Sequence, residues 1–141
     1  MKRARILLAE DDEGLRAALD LLLRSFDFDV LGAAAGGQSA LAEAARLAPD
    51  VVLLDVTLPS LGGLEALRAV RDCVPSAAIV VLTSHESIFY RQEALRLGAD
   101  AFVLIRRVPF DLIPAIEAVL LVSRLAYLLG RREYIVRAYV Q

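Results

Sequence analysis

The feature that most constrains this chain is a fivefold alternation. Short runs that are apolar throughout are separated by stretches whose apolar residues recur at helical spacing. The runs are Arg5–Ala9, Val30–Ala35, Val51–Leu54 ending on Asp55, Ala78–Leu82 ending on Thr83, and Ala101–Ile105. Between them, Leu15, Ala18, Leu19, Leu22 and Leu23 predict a helix over Glu13–Ser25. A second helix around Ser39–Leu47 is stopped by Pro49, a third starts at Leu64, and a fourth over Ile88–Leu97 ends at Gly98. A last helix is expected to be capped by Asp111, with Pro114 in its first turn.

A strand exposed on one face alternates apolar and polar residues. A run that is apolar throughout suits a strand covered on both faces. Five such runs joined by helical crossovers predict an α/β fold: a doubly wound, five-stranded parallel sheet with helices on both faces.

In such folds ligands bind beyond the carboxyl ends of the strands, so the residues that end each run matter most. They are Glu10, Asp11 and Asp12, then Asp55, then Thr83 and Ser84, then Ile105, Arg106 and Arg107. Carboxylates gathered from two strand ends repel one another unless a cation sits among them. Only one histidine and one cysteine occur in the chain, which leaves oxygen ligands and hence a hard ion, Mg²⁺ by default. Carboxylates, Mg²⁺ and a hydroxyl describe a phosphoryl-transfer site. With no glycine-rich phosphate loop and no serine or histidine nucleophile in the cluster, Asp55 is the expected acceptor.

Composition narrows the partners. The net charge of −2 provides no chain-wide cationic field, and no direct nucleic-acid binding by this chain is expected. No segment approaches the ~18 apolar residues of a membrane span, and the first apolar run is too short for a signal peptide. The expected location is the cytoplasm, with no membrane partner.

With these residues in place, the sequence resembles the receiver domain of two-component response regulators. Ile6–Glu13 is similar to the family's first strand and acidic pair. Val51–Gly63, VVLLDVTLPSLGG, resembles its phosphoacceptor strand and D-x-x-x-P-x-x-x-G loop. Ile79–Ser84, IVVLTS, resembles the strand carrying its Thr/Ser, and Ala94–Phe102, ALRLGADAF, its A-x-x-x-G-A-x-x-[YF] run. The resemblance implies that Asp55 takes a phosphoryl group from a sensor histidine kinase or phosphorelay protein. It implies that Asp11 and Glu10 bind Mg²⁺ with Asp55, and that Thr57 gives the metal its backbone carbonyl. Thr83, with Ser84 beside it, would bind a phosphoryl oxygen, and Phe102 would be the aromatic switch. Thr57 and His85, two residues after Asp55 and Thr83, fall where the family tunes hydrolysis. Such a chain is a switch rather than a conventional enzyme, although it catalyses its own phosphotransfer and dephosphorylation.

One family element is absent. The lysine expected seven residues past Gly98 is replaced by Ile105. Side chains alternate along a strand, so Arg107, and not Arg106, shares the direction of Ile105, which makes Arg107 the only well-directed substitute. The alternative function is therefore a degenerate receiver, a phosphorylation-independent binding and dimerisation module. A hydrolase of the haloacid dehalogenase type also uses an aspartate nucleophile and Mg²⁺, but its D-x-D-x-T motif needs Asp where Thr57 stands.

The C-terminal segment is apolar on two faces. Ile116, Val119, Leu120 and Ser123 suit packing on the sheet, while Leu121, Val122, Leu125, Leu128 and Leu129 leave a second apolar face, with Leu121, Leu125, Tyr127 and Leu128 among the expected dimer contacts. The expected division is a receiver over 1–122 and an extension of the last helix over 123–141. That extension serves as a homodimer interface or as a linker toward an output domain or protein.

Overall fold

The computed structural model describes residues 2–34, 37–56 and 63–130. Five strands, β1 Arg5–Ala9, β2 Asp29–Ala34, β3 Val51–Asp55, β4 Ala78–Thr83 and β5 Ala101–Leu104, alternate with five helices. The helices are α1 Glu13–Ser25, α2 Gly37–Leu47, α3 Leu64–Cys73, α4 Ile88–Arg96 and α5 Val108–Leu129. The strands form one sheet in the order β2-β1-β3-β4-β5, with every pair parallel. This is the doubly wound architecture predicted from the apolar runs.

The reason those runs do not alternate is visible in the packing. Successive residues of one strand enter two different cores. Ile6, Leu8, Val51, Leu53, Val80 and Leu82 pack with Leu19 and Leu23 of α1 and with Leu112, Ile116 and Val119 of α5. Leu7, Ala9, Val52, Leu54, Ile79 and Val81 pack with Ala40 and Ala44 of α2, Leu67 and Val70 of α3, and Ala94 of α4. Both faces are covered, so both sets must be apolar.

The last unit differs from the sequence-based expectation. β5 stops at Leu104, and Ile105–Arg107 forms a single 3₁₀ turn that feeds directly into α5. The helix therefore begins at Val108, with Pro109 in its first turn, where a missing N–H is tolerated. Asp111 lies inside that turn and not at the cap, and its carboxylate is bound by Arg107. Pro114 sits in the helix interior.

The same helix corrects the membrane reading. Ile105–Leu129 is long and apolar enough to cross a bilayer by length and composition. Isolated charges broke the apolar count along the sequence but leave the helix apolar overall. Its first half nonetheless lies on the sheet, with Leu112, Ile113, Ala115 and Ile116 buried. Of the expected extension, residues 131–141 lie outside the described residues.

A buried ion pair locks the amino ends of β4 and β5 to α3. Asp100 is buried; its Oδ2 accepts the Ile79 amide at 2.7 Å and Arg71 Nη1 at 3.0 Å. Arg71 also donates to the carbonyls of Val74, Pro75, Ala77 and Gly98. Gly98 has φ +114°, and a Cβ there would come within 2.5 Å of Arg71 Cδ, so glycine is required twice over. Burial holds the Asp100 carboxyl above its ordinary range, against the pull of the Ile79 amide and Arg71.

Removing the arginine strands that buried charge. Arg71→Met is expected to lower the unfolding free energy by about 3 kcal/mol. It also raises the Asp100 pKa further, so the deficit grows as pH rises through the carboxylate range and narrows in acid. Denaturant unfolding at several pH values checks both the size and the trend.

Candidate functional site

Parallel pairing brings the carboxyl ends of β1 and β3 side by side, with Ala9 registered against Leu54. Glu10 and Asp11 follow β1 directly, and Asp55 ends β3. One carboxylate oxygen from each of the three lies within 4.8 Å of the other two. Glu10 and Asp55 are buried at 1% and 3% exposure, while Asp11 faces solvent.

Local geometry explains why the acidic run divides. Asp12 caps α1: its Oδ2 accepts the Leu15 amide at 3.2 Å, and Glu13 occupies the first turn. Glu10 turns inward instead. Its Oε1 accepts the Asp12 amide at 3.0 Å, and Arg16 donates to its backbone carbonyl at 3.1 Å. Its other oxygen, Oε2, is fully buried with no hydrogen-bond donor among the described residues. Burial first, then the Asp55 carboxylate beside it, pushes the Glu10 pKa up to about 8. The group is a proton holder at neutral pH unless a cation displaces the proton.

Those features fit a hard divalent ion. The donor set is all oxygen, one acceptor is buried without a donor, and two carboxylates are held close together at a cost that a cation removes. Glu10, Asp11 and Asp55 would hold Mg²⁺. Thr57, the expected carbonyl ligand, lies outside the described residues.

Opposite the acids stands the end of β4. Thr83 is fully buried, and its Oγ1 accepts the His85 amide at 3.0 Å; Ser84 and His85 are exposed. Phe102 on β5 is half-buried against the α2–α4 core. The loop after β3 re-enters described structure at Gly63, whose φ is +68°. A Cβ there would come within 2.6 Å of the Val56 carbonyl oxygen, so this close turn admits only glycine.

The fifth strand end contributes differently from the expectation. Because Ile105–Arg107 is a 3₁₀ turn, strand alternation does not aim Arg107 along the direction of Ile105. Arg107 instead binds Asp111 through Nε and Nη2, both at 3.2 Å, and lies 4.9 Å over the Phe110 ring. Arg106 pairs with Glu86. Ile105, at the lysine position, packs against the α1–α5 core. Lys2 precedes β1, at the amino ends of the strands, away from the site.

One residue near the acids escaped the sequence reading. Tyr90, in the first turn of α4, packs its ring between His85 and Phe102, and burial first, then the Asp55 charge, raises its pKa. A tyrosine in the first turn of a helix carries no sequence signal that separates it from ordinary packing.

Comparison with known proteins follows the same pattern. Residues 6–116 match the response regulator receiver domain family. The transcriptional regulatory protein YxjL of Bacillus subtilis is 33% identical over 117 residues, covering 82% of this chain and 54% of that protein. The crystal structure of a LuxR-family two-component response regulator from Aurantimonas is 32% identical, with TM-score 0.78, covering 93% of this chain and 89% of that one. A CheY-like receiver structure from Methanospirillum hungatei gives TM-score 0.80 at 25% identity, covering 87% and 98%. The chain spans about half the length of curated relatives such as YxjL and the Rhizobium johnstonii regulator MctR.

The raised Glu10 pKa has a measurable consequence. The unfolded chain loses this proton near 4.5, the folded metal-free chain near 8. Between those values the folded state binds more protons, so its stability falls as pH rises. Glu10→Gln is expected to flatten that slope, and millimolar Mg²⁺ to flatten it in the wild type but not in Asp11→Asn. Thermal melts from pH 4.5 to 8.5, with and without Mg²⁺, test this; an unchanged slope in Glu10→Gln contradicts it.

Proposed function

This chain belongs to the response regulator receiver domain family, and on that premise we propose that it is a phosphorylation switch in a two-component relay. Asp55 is the acceptor. Its phosphodonor is a phosphohistidine on a sensor kinase or phosphorelay protein, and the reading carries a cytoplasmic location with it. What supports the assignment above all is the cluster of Glu10, Asp11 and Asp55, two of the three buried, with a Glu10 oxygen that no donor among the described residues satisfies.

The chemistry assigned to each residue follows from that geometry. An Asp55 carboxylate oxygen attacks phosphorus in line, an O–P bond forms, and the P–N bond of the donor histidine breaks. The histidine nitrogen keeps the bonding pair and takes up a proton. When bound, Mg²⁺ neutralises charge on the acids and on the phosphoryl oxygens. Glu10, deprotonated, would be one of the residues that hold the ion, with Asp11 and Asp55. Thr83, with Ser84 beside it, supplies hydroxyl donors to a phosphoryl oxygen; His85, and by its sequence position Thr57, set the lifetime of the group. The new charge of about −2 biases Thr83 and Phe102 toward a second packing.

A second reading, a receiver whose switch is weakened, draws on the fifth strand end. Isoleucine at 105 offers the phosphoryl group neither charge nor hydrogen bond, and Arg106 and Arg107 are already paired with Glu86 and Asp111. In that reading the working state depends more on the C-terminal helix. Leu121, Leu125, Tyr127 and Leu128 all lie exposed on α5, and we assign this face to a homodimer interface. The division into a receiver over 1–122 and a dimerising extension or linker over 123–141 goes with it.

Beryllofluoride, a phosphoryl mimic, should bind the wild type in Mg²⁺ and fail to bind Asp55→Asn, as read by calorimetry. Arg107→Ala should leave the affinity within about twofold; a tenfold loss, about 1.4 kcal/mol, would make Arg107 the replacement for the lysine.

Assembly has its own test. Sedimentation at tens of micromolar should show a dimer that Leu125→Glu dissociates. A wild-type monomer, or a dimer indifferent to that change, contradicts the α5 interface.

A further inference from the structure

Helix α5 has two distinct faces. Leu112, Ile116 and Val119 are buried in the core that it shares with α1. On the opposite side of the helix, Phe110, Pro114, Glu117, Leu121, Arg124 and Leu128 recur at alternating steps of four and three residues and share one stripe. All six are exposed, Leu121 at 59% and Leu128 at 72%. At about 1.5 Å per residue the stripe runs roughly 27 Å, long enough for two helices to pack along it. The two charges in the stripe stand alone. Neither Glu117 nor Arg124 has an ion-pair partner among the described residues, whereas Asp111 of the same helix is held by Arg107. No opposite charge stands three or four positions from either along α5, so the helix cannot pair them itself.

We propose that α5 pairs with α5 of a second copy in an antiparallel two-fold dimer centred beside Leu121, in which Glu117 of each copy binds Arg124 of the other. The proposal rests on this face being the homodimer interface and adds its direction and register. Two-fold symmetry allows the two helices to run parallel or antiparallel. A parallel pair sets each residue of the stripe against its own copy. Glu117 then faces Glu117 and Arg124 faces Arg124, on either side of Leu121, and two like-charge layers flank the central leucines uncompensated. An antiparallel pair turned about Leu121 reverses the order. Glu117, four residues before the centre, meets Arg124, three residues after it, and symmetry repeats the ion pair on the other side. Leu121 meets Leu121 between the two pairs, and Leu128 lies against Pro114. The charges thus select direction and register, while Leu121, Leu125 and Leu128 supply the apolar area.

Charge exchange tests the direction. Dimer dissociation constants of the full chain are measured by sedimentation at low salt. Glu117→Arg and Arg124→Glu should each weaken the dimer about tenfold, because each sets like charges together twice. Both substitutions in one chain restore the two pairs and should return the constant to within about threefold of wild type. A second readout uses a Cys73→Ser chain. Oxidation should join Leu121→Cys copies through a disulfide and leave Leu128→Cys copies unjoined. Failure of the double exchange to rescue the dimer, or a Leu128→Cys disulfide that forms as fast as that of Leu121→Cys, overturns the antiparallel pairing. A dimer indifferent to every exchange overturns it as well, and leaves the α5 interface to stand or fall with Leu125→Glu. A wild-type monomer overturns the interface reading itself, so the two failures are told apart.

Discussion

Three carboxylates held within 4.8 Å of one another are the constraint on which the rest of the site depends. Two of them are buried, where charge is costly and mutual repulsion is weakly screened. The protein's metal-free answer is to keep Glu10 protonated, with a pKa near 8. A divalent cation held by Glu10, Asp11 and Asp55 would relieve the same repulsion.

The fold makes such crowding sustainable. β1 and β3 are adjacent and parallel, so their ends meet without any long-range loop. Both strands are covered on each face by helices, which fixes register: a one-residue slip would exchange the two cores. At the far end of the sheet the Arg71–Asp100 pair ties α3 to β4 and β5. The site can therefore carry strain at one edge while the opposite edge is pinned.

Much of this was legible before the structure. Residues apolar throughout a run predicted strands covered on both faces, and β1, β3 and β4 carry that pattern without interruption. Asp55 at the end of such a run was conspicuous because a buried charge needs a reason. The last unit was less legible. Ile105 closes an apolar run in sequence, but Ile105–Arg107 turns as a 3₁₀ helix, so the alternation that aimed Arg107 at the site does not operate there. Arg71 and Asp100 are 29 residues apart, and no periodicity links them. Tyr90 was missed for a related reason: its ring contacts are with His85 and Phe102, which only the folded chain brings together.

The central claim is that the acidic cluster is a cation site held in waiting by a proton on Glu10. Carbon-13 NMR titration of the side-chain carboxyls, with and without Mg²⁺, tests it most directly. The account predicts a Glu10 carboxyl that titrates near 8 in the metal-free chain and falls into the ordinary carboxylate range once Mg²⁺ is added. A Glu10 that titrates near its ordinary value in the metal-free chain and ignores Mg²⁺ would contradict it.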